Sequence, residues 1–166
     1  HWQRTLRFLQ LLRDVWPHLL AAEGRLDPAE RRRRLLDRQA EAWRRAPPSG
    51  RVVAAGITGS IPAVARLLAV VAQVGGIVLL YGLDRDLDEE SWRAAANQPS
   101  HPQYVFAQLL TSMGIERETV QAWPQSPPSR AGAARVALWR EVLRPAQTSD
   151  LWSRNPPFTR AALTGL

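Results

Sequence analysis

Five residues, Gly56-Ile57-Thr58-Gly59-Ser60, carry the side chains and backbone freedom from which an anion site can be built. An apolar run, Val52 to Ile57, leads into them and a helical pattern from about Ile61 to Val74 follows. Backbone N–H groups at such a strand-to-helix junction can hold a phosphate. The spacing is too short for a GxxxxGK[ST] loop, and the lysine that reaches the terminal phosphates is missing. No GxGxxG follows the strand, and Gly59-Ser60 lacks the second glycine of a GxSxG elbow. Ser60 reads most simply as a helix N-cap with Pro62 in the first turn. Thr58, Gly59 and Ser60 therefore stand as candidates for contact with a phosphate of a DNA backbone, beside a purely structural loop.

The acidic stretch Asp84-Arg85-Asp86-Leu87-Asp88-Glu89-Glu90 opens like a calcium loop. Glycine is then required at the sixth place and glutamate at the twelfth, where Glu89 and Ala95 stand instead. Asp84 after an apolar run also has the position of a magnesium-holding aspartate, so a nucleotide site using Ser60 and Asp84 is the rival chemistry. Helix capping by Asp86 or Asp88, with the other acids solvated, is the plainer expectation. His1, His18 and His101 are too scattered for a metal site or a catalytic pair, and His101-Pro102 reads as a structural start to a helix. Arg31 to Arg34 form a basic run on a helix. It is either a solvated face or a phosphate contact, because guanidinium forks pair with phosphate oxygens. A run of four circles the helix, so only part can face one partner; Arg31 and Arg34 are the weaker phosphate candidates.

The elements that position these residues follow from periodicity. Trp2, Leu6, Leu9, Leu12, Trp16 and Leu19 recur at helical spacing, with Pro17 as a kink or stop and Gly24 as an end. Asp27-Pro28-Ala29-Glu30 has the form of a capping box, starting a helix to about Arg45 with Leu35, Leu36, Ala40 and Trp43 as its buried face. Ala46-Pro47-Pro48-Ser49-Gly50 is the best boundary. Beyond it, Val52–Ile57 and Ile77–Tyr81 are apolar without alternation, which predicts parallel strands buried on both faces around a helix that Gly75-Gly76 end. After Asp84 the pattern predicts a short helix carrying Trp92, broken at Asn97 to Pro99. A helix with Tyr104, Val105, Phe106, Leu109, Leu110 and Met113 follows, with Gly114 as its C-cap. Pro124 to Ser129 read as loop. A last helix, Arg130 to Arg144, is expected to bury Val136, Trp139 and Leu143 and to stop at Pro145. We expect a helical part over residues 1–48, a βαβ unit over 49–84 and a helical part over 85–166, all within one larger α/β domain.

Composition adds limits. The 166 residues include no cysteine, which removes disulfides, thiol chemistry and cysteine-held metals and suits a cytoplasmic protein. All 22 basic residues are arginine, so no lysine-dependent chemistry resides here, and the charge of +7 favours an acidic partner, nucleic acid first. Seven tryptophans read mostly as core, with one or two available to stack on bases. No apolar run is long enough for a membrane span. His1-Trp2-Gln3-Arg4 leads straight into an amphipathic pattern with no signal peptide, and both ends read as cuts within a longer protein.

Five stretches, in order, resemble the AddB family, the second subunit of the bacterial AddAB helicase–nuclease, in its alphaproteobacterial type. They are LDPAERRRRLLDRQAEAW (Leu26 to Trp43), VVAAGITGSIPAVARLLAVVA (Val52 to Ala72), GLDRDLDEESW (Gly82 to Trp92), HPQYVFAQLL (His101 to Leu110) and LRPAQTSDLW (Leu143 to Trp152). The AAG-x-TGSIPA core is the most specific; Tyr81 stands where the family often has proline, and Ile57 where a small polar residue is common. The resemblance implies part of an N-terminal half with a P-loop, superfamily 1 helicase-like fold that does not act as the motor. It implies a role in DNA end resection at double-strand breaks, with DNA and an AddA-like subunit as partners. ATP, magnesium and an iron–sulfur cluster belong to the parent complex, and none has residues to carry over here. A nucleotide-binding enzyme domain and a purely protein–protein module are the alternatives.

Overall fold

The computed structural model describes residues 2–123 and 129–154. His1, most of the loop expected at Pro124 to Ser129, and Phe158 lie outside them. Among the described residues the fold is mostly helical, with one two-stranded parallel sheet.

The first helix, Trp2–Ala22 (α1), runs through Pro17 without stopping. Its apolar residues share a face as their spacing predicts, but no described residue buries that face: no α1 residue is buried, and Trp2 is 73% exposed. An exposed helix tolerates Pro17 because water can satisfy the carbonyl one turn earlier. The second helix, Pro28–Arg45 (α2), begins as expected. Asp27 Oδ1 accepts from the Ala29 N–H at 2.8 Å and Pro28 takes the first turn. Glu30 does not close the box reciprocally. Its carboxylate instead takes Arg33 and Arg34 at 2.6 and 2.7 Å, since charged donors outcompete a backbone amide. Ala40 is buried, and Leu36 and Trp43 are half-buried. Leu35, expected with them, is exposed because it lies about 140° around the helix from Ala40.

The centre is the helix Pro62–Gln73 (α3) between the strands Val53–Ala55 (β1) and Ile77–Leu79 (β2). The strands pair in parallel, with Val53 opposite Ile77 and Ala55 opposite Leu79. α3 carries a single charge, Arg66, and is apolar nearly all round, which is the pattern of a helix packed on several sides. Ala65 and Leu68 pack with Leu109 in the core, and Ala54 and Val78 from the sheet and Leu80 just after it pack against them. α2 lies along another side of α3, tied by Arg66 to Asp37 at 2.7 Å. At Gly76 a Cβ would meet Val71 Cγ1 at 2.6 Å and the Val52 carbonyl at 2.9 Å, so the return from α3 into β2 needs glycine.

Each strand is three residues long, shorter than the apolar runs suggest, and neither is buried on both faces. Ala54 turns toward α3 while Val53 is 52% exposed. The expectation of two covered faces is not met among the described residues: β1 is exposed at Val53 and Ala55, and β2 is only half-buried.

Beyond the sheet come the helices Glu89–Ala96 (α4) and Tyr104–Met113 (α5), a 3-10 turn at Arg117–Thr119, and the helix Arg130–Val142 (α6). A second 3-10 turn, Ala146–Thr148, and the short helix Leu151–Arg154 (α7) follow. Asp88 caps α4 through the Ser91 N–H at 2.8 Å, and Gly114 closes α5 in the left-handed conformation. The expected burial of Val136, Trp139 and Leu143 is not found; all three are exposed. Nor are the tryptophans core: Trp2, Trp16, Trp123, Trp139 and Trp152 are exposed, and Trp43 and Trp92 half-buried. What fastens α6 is charge: Arg140 pairs with Asp84 and Asp86.

Candidate nucleic-acid interface

The loop between β1 and α3 presents Thr58 and Ser60 to solvent, with their hydroxyl oxygens 3.5 Å apart. Gly59 turns inward at φ +69°. Ser60 is not the N-cap; Ile61 holds that place with no side-chain cap, and Pro62 follows as the first helical residue. Ser60 stands one position earlier, where its hydroxyl meets Thr58 instead of an α3 amide.

Asp84 follows β2 by a few residues, at the carboxyl end of the sheet where ligands of α/β folds sit. Its carboxylate is already occupied. Arg140 Nε reaches Oδ2 at 2.7 Å and Nη2 reaches Oδ1 at 2.8 Å, while the Asp86 N–H donates to Oδ1 at 3.1 Å. Arg140 also pairs with Asp86 at 3.0 Å. The Asp84 N–H donates to Gln103 Oε1, and Gln103 Nε2 donates to the Gly82 carbonyl, both at 2.9 Å. The donor set therefore does not fit a nucleotide with magnesium: no lysine is present, and the one well-placed carboxylate is held by a guanidinium. An iron–sulfur cluster has no cysteine to bind.

Asp88 and Glu141 are also engaged. Arg144, almost buried, binds Asp88 at 2.6 Å, Glu141 at 2.7 Å and the Ser91 hydroxyl at 2.8 Å. Ser91 and Thr148, both fully buried, share a hydroxyl hydrogen bond of 2.8 Å. Burial pushes the Asp88 carboxyl up, but the Ser91 amide and hydroxyl and Arg144 together hold it below the usual range. Glu141 is lowered too, chiefly by its bond to Arg144. Arg117 is buried, donating to the Leu87 carbonyl at 2.8 Å and lying 4.8 Å from the Trp92 ring. His101 is structural, as its place before a helix implies: Nδ1 accepts from the Gln103 N–H, and Nε2 meets the Leu143 carbonyl at 2.7 Å.

The basic run resolves into two sides of α2, which holds seven arginines against three acids. Arg33 lies near the packed side and is neutralised by Glu30 and Asp37. Arg31, Arg34, Arg38 and Arg45 lie on the side turned away from Ala40, at roughly 120–180° from it. Arg34 pairs with Glu30 and Arg45 with Glu41. Glu30 is lowered to about 2 by its bonds to Arg33 and Arg34. Arg31, Arg32, Arg38 and Arg44 are exposed and make no ion pair among the described residues; of these, the outward stripe holds Arg31 and Arg38. They stand about 10 Å apart along the axis. The structure does not bring Arg31 and Arg34 onto Thr58, Gly59 and Ser60, because the outward stripe points away from α3. Arg38 and Arg45 escaped the sequence reading, although the spacing of Arg31, Arg38 and Arg45 is a heptad. Arg140 and Arg144 escaped it because their partners are more than fifty residues away.

Comparison with family models, with curated proteins and with solved structures gives no match.

Proposed function

We propose that this chain is a non-catalytic, DNA-contacting scaffold segment of an AddB-like subunit that works in DNA end resection. One observation carries the contact: the outward stripe of α2, where Arg31 and Arg38 keep their charge free in a chain of net charge +7. Guanidinium groups spaced along one helix side bind phosphates of a strand without reading its sequence. Thr58 and Ser60, exposed at the end of β1, are the second phosphate contact by their hydroxyls. The five stretches that resemble the AddB family supply the setting: a superfamily 1 helicase-like half, in the bacterial cytoplasm, beside an AddA-like motor subunit. The occupied Asp84 and the missing lysine support a scaffold rather than a site for ATP.

The uncovered apolar residues of α1 support docking of this segment against the rest of such a machine. A labelled single-stranded oligonucleotide titrated at several salt concentrations tests the contact. Affinity should fall steeply as salt rises; absence of binding even at low salt would remove DNA from the account.

A further inference from the structure

The loop after β2 forms a ridge between two open clefts of about 570 and 670 Å³. Tyr81, Leu83 and Arg85 line both; Trp139 lines one and Trp123 the other. Three aromatic rings are thus displayed around one ridge: Tyr81 is 92% exposed, Trp139 59% and Trp123 45%. Arg85 on the ridge is exposed and makes no ion pair among the described residues. Asp84 and Asp86 would repel a phosphate chain, but Arg140 is bound to both.

We infer that this ridge is a stacking platform for unpaired bases of a single-stranded nucleic acid. The inference rests on the proposed DNA contact and adds where the bases go. A ring exposed like Tyr81 contributes almost nothing to the fold by burial, so its face is free for a ligand. Every base offers a flat π-face, and stacking on exposed aromatic rings holds bases without regard to sequence. Two clefts flanking one ridge, each with its own indole, suit successive bases better than one mononucleotide. The free Arg85 supplies the charge for the connecting phosphate or a cation–π contact. The ends of parallel strands are where α/β sheets place ligands. A duplex keeps its base faces covered and is not a ligand for this platform.

The test compares a labelled oligothymidylate of about a dozen nucleotides, a size within single-strand site lengths, with thymidine monophosphate and a duplex of the same length. Wild-type protein is measured beside Tyr81→Ala, Trp139→Ala and Arg85→Ala, with thermal melting as a check that the exposed substitutions leave the fold intact. Each aromatic substitution should weaken oligothymidylate binding roughly five- to a hundred-fold, leave duplex binding unchanged, and leave the monophosphate far weaker than the oligomer. Arg85→Ala should lower the salt slope by about 0.7. If Tyr81→Ala and Trp139→Ala bind the oligomer like wild type, the platform is refuted while the contact through α2 stands. If wild type binds no oligomer at low salt, the DNA contact and the platform fall together.

Discussion

A Cβ on residue 59 would lie 2.7 Å from Leu109 Cδ1, and Gly59 has φ +69°. The loop that carries Thr58 and Ser60 is thereby pressed onto the best-buried leucine of α5. Gly59→Ala therefore meets both a conformational and a steric penalty. The left-handed conformation costs about 1–2 kcal/mol and the overpacking about 1–3 kcal/mol. Leu109→Ala alone should cost about 2–5 kcal/mol. The double variant should lose less than the two single losses together, since the truncated side chain removes the clash and leaves only the backbone strain. Urea midpoints of the four proteins measure this; strict additivity would mean that Leu109 does not hold the loop.

Asp84 and Arg140 predict a second outcome. Both are largely buried, so Arg140→Ala leaves a carboxylate without its counter-charge and should cost about 1–3 kcal/mol. Thermal unfolding reads that loss. A fluorescent ATP analogue with magnesium should show no saturable binding to wild type, since Asp84 is held and no lysine awaits the phosphates. Micromolar saturation would restore the nucleotide-site alternative.

Arg144 links stability to pH. Asp88 and Glu141 both hold their protons more weakly in the folded chain than in the unfolded one. The unfolded state therefore takes up more protons as pH falls, and the stabilisation lies above the ordinary carboxylate range. Melting temperature should stay nearly level from about pH 7 to 5 and fall below about pH 4. Arg144→Ala should lower stability by about 2–4 kcal/mol at neutral pH, between an exposed and a buried pair. It should also flatten the acid decline, because the two carboxyls lose the partner that depresses them. An unchanged decline in that variant would assign the acid sensitivity to other groups.

Local chemistry was readable in the chain. Asp27 and Pro28 start α2, Asp88 starts α4, Gly114 ends α5, and two apolar runs around a small-residue loop become β1, α3 and β2. Each depends on neighbours a few residues away. Burial was not readable in the same way. Helical spacing shows that Trp2 and Leu6, or Val136 and Trp139, share a side, but not whether anything lies against it. Unbroken apolar strands suggest cover on two faces, and only tertiary structure shows that Val53 lacks it. Ser60 has the side chain of a cap but stands one place before the N-cap position, which Ile61 holds. The ties of Arg140 to Asp84 and of Arg144 to Asp88 have no local signal, because an arginine looks the same in sequence whether its partner is water or a distant carboxylate. For the candidate site, the basic run was visible and its division was not. Ala40 against α3 decides that Arg31, Arg34 and Arg38 face outward and Arg33 does not.

We propose that the free charge of α2 meets DNA phosphates. The direct measurement is the dependence of oligonucleotide affinity on salt for wild type and for the double variant Arg31→Ala with Arg38→Ala. Each arginine that displaces a counterion from a single strand contributes about 0.7 to the log–log slope. The double variant should show a slope shallower by roughly 1.4, with weaker binding at low salt and an unchanged melting temperature. An identical slope and affinity in the two proteins would contradict it.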